Sequence, residues 1–72
     1  MTFVELMNTA ADDQVRKMKI AIFQDGRSEY TARSYIRGER RPPIFYQTQI
    51  QRHVRRIFNQ DIALEQLFPP KA

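Results

Sequence analysis

The sequence predicts a small all-α domain of four to five helices, and three observations carry that reading. Apolar side chains recur at three- and four-residue spacing along most of the 72 residues, the period of an amphipathic helix. No stretch alternates convincingly as a half-buried strand would; Ser34-Tyr35-Ile36-Arg37 is too short and sits within helical spacing. The strong chain-breakers are few and localised: Gly26, Gly38, Pro42-Pro43 and Pro69-Pro70. With 42% hydrophobic and 28% charged residues, the chain belongs with folded domains rather than disordered ones. One domain spanning residues 1–72 is expected, with a small core, since folding at this length buries only about 60% of the unfolded surface. Cysteine is absent, so neither a disulfide nor a thiolate zinc site braces it.

The first helix is expected over about 2–8. Thr2-Phe3-Val4-Glu5 has the capping-box spacing, and Phe3, Leu6 and Met7 then share a face. Thr9-Ala10-Ala11-Asp12 repeats the capping signal more weakly and starts a second helix over about 10–24; one continuous helix is the alternative. In it Val15, Met18, Ile22 and Phe23 form a stripe facing the core. Gly26 supplies the left-handed conformation that ends a helix, and Ser28 caps the next, over about 28–37. Ala32, Tyr35 and Ile36 point inward there, and Gly38 closes it.

Pro43 starts a helix over about 43–58, where its missing N–H costs nothing. Tyr46, Ile50, Val54, Ile57 and Phe58 make its buried face. Asn59 ends it, and Asp61 caps a last helix over about 61–67 in which Ile62, Leu64, Leu67 and Phe68 pack back. No apolar stretch approaches the ~20 residues needed to span a membrane. The start, Met1-Thr2-Phe3-Val4-Glu5, carries an acid where a secretory signal carries positive charge, so a cytoplasmic location is expected.

The formal charge of +4 is unevenly placed. Residues 27–56 hold eight arginines against two glutamates, while the segments on either side each carry one excess acid. A basic middle of this kind suits a polyanion, nucleic acid first. Arginine, rather than lysine, also suits forked contacts to phosphate and to guanine edges.

Two helices joined by a glycine-containing turn, the second cationic on its outer face, make a helix-turn-helix. A helix fits the major groove of duplex DNA, and its N-terminal half reaches base edges. On the helix over 28–37 the residues so placed are Ser28, Glu29, Tyr30, Arg33, Ser34 and Arg37. Arg33 is the best candidate for a forked guanine contact. Tyr30 and Ser34 suit a base edge or a phosphate, and the capped start at Ser28 can meet a phosphate through backbone N–H groups. Arg37, Arg40 and Arg41 fit phosphate positioning, with Arg27, Arg52 and Arg55 as further phosphate candidates.

Thr31-Ala32-Arg33-Ser34-Tyr35-Ile36-Arg37-Gly38, followed by Pro42 and Ile50, resembles the recognition-helix region of compact bacterial and phage helix-turn-helix regulators with the repressor-like fold. The ending Asp61-Ile62-Ala63-Leu64-Glu65-Gln66-Leu67-Phe68-Pro69 is similar to their last short helix, so the resemblance covers roughly 13–69. It implies a DNA-binding transcription regulator, with Arg33, Ser34 and Arg37 toward DNA and Ala32, Tyr35 and Ile36 in the core. The chain departs from that pattern at Arg27, where an aliphatic residue commonly plugs the angle between the two helices. Val15, Phe23 or Tyr30 is expected to fill that place instead. Ala32 is also smaller than the residue common there.

Nothing points to catalysis. His53, the one histidine, has no metal-ligand partner at helical spacing. Asp12-Asp13 sits at a helix start, where the dipole accounts for it. No nucleophile–base set, phosphate-cradling glycine loop or catalytic carboxylate pair is present, and no cofactor, metal or small-molecule ligand is expected. The expected partner is double-stranded DNA, and a homodimer on a two-fold site fits a domain of this size. Two other classes fit the same charge: a helical module that binds an acidic protein through the cationic face of 52–56, and an RNA-binding protein that stacks bases on Tyr30 or Tyr46.

Overall fold

The structure, a computed structural model, describes residues 1–70; Lys71 and Ala72, counted within the single domain, lie outside the described residues. Among the described residues five helices follow one another: α1 Phe3–Thr9, α2 Asp12–Gln24, α3 Glu29–Arg37, α4 Ile44–Phe58 and α5 Leu64–Leu67. There is no strand among the described residues. The domain is all-α, as the spacing of apolar residues predicts.

α1 begins as the capping box dictates. The Thr2 N–H donates to Glu5 Oε1 at 2.8 Å, and the Glu5 N–H donates to Thr2 Oγ1 at 3.2 Å. The first two helices are separate. Ala10 and Ala11 are extended, with ψ near 154° at both. Ala11, not Thr9, is the N-cap of α2, because the Thr9 hydroxyl is turned back to the Glu5 and Leu6 carbonyls at 3.2 Å. Gln14 Oε1 accepts from the Ala11 N–H at 3.0 Å and supplies half of a box.

α2 buries Met18, Ala21 and Ile22, and Val15 is half-buried. Phe23, expected in this stripe, is instead 57% exposed, beside Ile20 at 47%. At about 100° per residue, Ala21 and Phe23 lie on opposite flanks of the Met18–Ile22 line. Ala21 lies on the covered flank and Phe23 on the open one.

Both stops of α3 behave as expected. Ser28 Oγ accepts from the Thr31 N–H at 3.1 Å. At the other end Gly38 takes φ +81°, with the Gly38 N–H bonded to the Tyr35 carbonyl and the Glu39 N–H to the Ser34 carbonyl at 2.9 Å. A Cβ at position 38 would lie 2.8 Å from Val4 Cγ2, so glycine is required by both backbone and space. α1 thereby packs against the C-terminal end of α3.

α4 starts one residue later than expected: Pro43 is its N-cap, and the Pro43 carbonyl accepts from the Gln47 N–H at 2.9 Å. Asn59 ends it with φ +55°. The buried face is Gln47, Ile50, His53 and Val54, while Tyr46, Ile57 and Phe58 are half-buried. Gln47 tolerates burial because its Nε2 donates to the Pro42 carbonyl at 2.8 Å. α5 is shorter than the expected 61–67. Asp61 is exposed and caps nothing; Ala63 is the N-cap. The segment before α5 is held outside a helix by Gln51 Nε2, which donates to the Ile62 carbonyl at 3.1 Å.

The core joins all five helices: Phe3, Leu6 and Met7; Met18 and Ile22; Ala32 and Tyr35; Ile50 and Val54; Leu67, with Phe68 following. Phe3 and Phe68 stack at 5.5 Å between ring centroids, closing α1 on α5. α2 packs on both α3 and α4, and α4 on α5, so α3 is held by α1 and α2 along one side and is open on the other. Among the described residues, no helix is long and apolar enough to cross a membrane.

Candidate nucleic-acid interface

The open side of α3 carries Glu29, Tyr30, Arg33 and Arg37. Positions 30, 33 and 37 fall on one helical face, and 29 is one turn below 33. The face exists because Ala32 and Tyr35 are drawn into the core on the opposite side. Tyr30 is 68% exposed, which an apolar ring tolerates poorly without a partner. Arg40, in the loop after Gly38, reaches back so that its guanidinium carbon stands 5.8 Å from the Tyr30 ring centroid. Ser28 is exposed at the head of the helix, its hydroxyl donating to Thr31 Oγ1 at 3.0 Å. The helix start therefore presents Ser28 as a cap whose oxygen is already engaged.

Three residues expected at the site are used elsewhere. Ser34 is buried, 2% exposed, with its hydroxyl donating to the Tyr30 carbonyl at 3.1 Å. It bonds its own helix one turn back and does not face solvent, a habit of serine within helices. Arg41 turns away from α3: its guanidinium donates to the carbonyls of Pro69 and of Phe68, the latter at 3.1 Å, and so ties the chain after α5 to the loop before α4. Arg27 lies half-buried over the Tyr46 ring at 4.1 Å, with Nε enclosed and without a hydrogen-bond partner.

Arg27 is thus the wedge under the α2–α3 turn. Phe23 and Tyr30, two of the residues expected to fill that place, are exposed, and Val15 is half-buried. The Tyr46 hydroxyl stands 3.6 Å from where a Cβ on Gly26 would be, and Gly26 itself has φ +112°. The turn is therefore clamped between Tyr46 of α4 and the end of α2.

Arg52 and Arg55 are exposed, on a stripe of α4 with Phe45 and Thr48. That stripe belongs to a helix packed on α2 and α5.

Two further features lie near the site: the first has a local signal, Glu29 and Arg33 at the four-residue spacing of helix-surface ion pairs, and the second has none. The carboxylate of Glu29 bonds Arg33 Nη2 at 2.9 Å and stands 3.8 Å from Lys19 Nζ of α2, so an acid sits within the basic face. Both carboxylate and guanidinium are more than half exposed. In free solution the pair contributes only about 0.3–0.5 kcal/mol, and salt weakens it. The second feature is His53, whose partner lies 28 positions away. His53 Nε2 is 2.7 Å from Asp25 Oδ2, and Arg56 Nη2 is 3.2 Å from His53 Nδ1. Arginine only donates, so Nδ1 accepts and the Nε2–H donates to Asp25. This clasp fixes the C-terminal end of α2 on α4, directly below the turn. Among the described residues, no group of three His, Cys, Asp or Glu side chains is placed to hold a metal ion.

No family model matches this chain, and neither does any curated protein or solved structure.

Proposed function

We propose that the chain is a sequence-specific double-stranded DNA-binding protein in which α2, the turn at 25–28 and α3 act as a helix-turn-helix, and that it serves as a cytoplasmic transcription regulator without catalytic activity. The observation that supports this best is the open face of α3. Tyr30, Arg33 and Arg37 stand together on a helix whose opposite side is locked in the core, and Arg40 joins them from the following loop. In this reading Arg33 makes the forked contact to guanine, Tyr30 touches a base or sugar edge, and Arg37 and Arg40 neutralise phosphates. A nine-residue helix contacts few base pairs, so two copies on half-sites about 34 Å apart are proposed.

The test is binding to duplexes selected from a random pool, repeated across a salt series. The logarithm of affinity should fall with the logarithm of salt by about 0.9 per phosphate contacted. The Arg33→Ala, Arg37→Ala double variant should lose about hundredfold in affinity for the selected duplex while melting only slightly below the parent, since both residues are exposed and the Glu29–Arg33 pair contributes little. A flat salt dependence, or full binding by the double variant, rules the reading out.

A second reading rests on the α4 stripe. Phe45, Thr48, Arg52 and Arg55 present an exposed aromatic beside two free arginines, the chemistry that suits an acidic protein. Stoichiometric recovery of a protein partner after nuclease treatment, lost on Arg52→Ala, Arg55→Ala substitution, would favour it. Preference for single-stranded RNA over duplex DNA in competition would instead favour base stacking on Tyr30.

A further inference from the structure

We infer that Glu29 is a specificity-determining residue of the α3 face: it holds Arg33 and Lys19 back from phosphates and itself reads an amino-bearing base edge, cytosine N4 or adenine N6. The inference rests on the DNA-binding reading above. Its starting point is a misplaced charge. Glu29 is exposed in the first turn of α3, on the surface most suited to a polyanion, and its carboxylate is within 2.9 Å of Arg33 and 3.8 Å of Lys19. The helix dipole accounts for an acid in the first turn, but not for its engagement of the one arginine best placed to reach a base.

Against a phosphate backbone, a free Glu29 carboxylate is repelled. While it stays paired with Arg33, that guanidinium has a competing partner and gains less from a phosphate. Both effects weaken binding to arbitrary DNA. In the major groove the balance changes with sequence. Cytosine N4 and adenine N6 offer amino donors that a carboxylate accepts, whereas guanine N7 and O6 and thymine O4 present only acceptors. Guanine in turn takes both donors of Arg33. Residues 29 and 33 are one helical turn apart, about 6 Å along the axis, so the two side chains span neighbouring base pairs. A G·C pair at each position satisfies both groups. A guanine or thymine edge facing Glu29 leaves the carboxylate against an acceptor. The acid thus turns a general phosphate-binding face into one that discriminates, a repulsive element against wrong partners.

The experiment compares the parent, Glu29→Gln, Arg33→Ala and the double variant on a randomised duplex pool, with an unselected duplex as reference. The parent should enrich guanine opposite Arg33 and cytosine or adenine opposite Glu29. Glu29→Gln should bind the unselected duplex about tenfold more tightly, and its ratio of selected to unselected affinity should fall about ten- to hundredfold. Gain on the unselected duplex should shrink when Arg33 is already alanine, because no arginine is then being held; this coupling separates restraint of Arg33 from simple removal of a negative charge. Glu29→Gln that selects the same sequence with the same ratio overturns the inference and leaves the DNA-binding reading standing. So does a gain that is equal with and without Arg33. A parent that binds no duplex even at low salt overturns both.

Discussion

Arg40 and Arg41 are neighbours in the chain and opposites in the fold. Arg40 leans on the exposed Tyr30 ring at the end of the α3 face. Arg41 is committed to the carbonyls of Phe68 and Pro69, 27 and 28 residues on. The same division runs through the basic middle of the chain. Arg33, Arg37 and Arg40 stand on or beside α3 with their charges toward solvent, while Arg27 and Arg41 bracket that helix and hold its neighbours in place. An excess of arginine therefore serves two ends here. Arg27 and Arg41 take fixed partners because a guanidinium has five donors and a flat face, and satisfies carbonyls or an aromatic ring more fully than lysine could. A count of charges along a sequence cannot tell the two uses apart.

Exchanging the neighbours is the strongest way to break this comparison. Arg41→Ala removes two charge-assisted hydrogen bonds at a partly exposed joint and should destabilise the domain by about 1–2 kcal/mol. For a domain of this size that lowers the melting temperature by roughly 4–16 °C. Its affinity for a selected duplex at a temperature where it is folded should match the parent's. Arg40→Ala should do the reverse: no change in melting, weaker binding to all duplexes alike, and a salt slope shallower by about one. If Arg41→Ala weakens binding as Arg40→Ala does, the two arginines share one surface and the division fails.

Arg27 sharpens the comparison from within the fold. Its guanidinium gains from the Tyr46 ring, yet its Nε is enclosed without a partner, which costs part of that gain. Arg27→Leu keeps apolar cover over Tyr46 and removes the unsatisfied donor. Stability should stay level or rise by up to about 1 kcal/mol, whereas Arg27→Ala, which uncovers the ring, should lose about 1 kcal/mol. Neither should alter the salt slope of duplex binding. A slope reduced by about one in both variants would return Arg27 to the phosphate-contacting role that its place in the sequence suggests.

How far the sequence discloses this arrangement follows the range of the interactions involved. The α3 helix was legible at both ends because Ser28 and Gly38 act within a few residues of themselves. The capping box at Thr2 and the left-handed stop at Asn59 are local in the same sense. The fates of the arginines were not legible, since Tyr46, Phe68 and Pro69 are brought to them only by folding. Phe23 was misplaced for a related reason: the helical period defines a stripe but not which flank of it the partner helices will cover. Asp61 failed as a cap because Gln51, ten positions earlier, captures the Ile62 carbonyl and keeps that segment extended. Ser34 shows the limit within a single helix, where periodicity alone cannot say that a serine will bond its own backbone and face inward.

The smallest expected effect lies outside the charged face and acts on its support. α1 packs against the end of α3 through the contact of Val4 with Gly38, and the start of α1 depends on Glu5. The Thr2 backbone N–H donating to the carboxylate, with the Thr2 side chain adding to it, holds the Glu5 carboxyl below its ordinary value. A carboxyl whose pKa is lower in the folded than in the unfolded state contributes stability above the ordinary glutamate value, about 4.3. That contribution is lost as pH falls through the lower, folded value. Parent and Glu5→Gln should therefore differ in melting temperature near neutrality, with the parent the more stable, and converge as the pH falls below about 4. Glutamine retains a side-chain oxygen for the Thr2 N–H, so only the titrating part is removed. Because Glu5 is exposed, the difference should be smaller than that for either bracket arginine, and duplex affinity at neutral pH should not change. If the difference persists undiminished into acid, Glu5 supports α1 through geometry rather than charge.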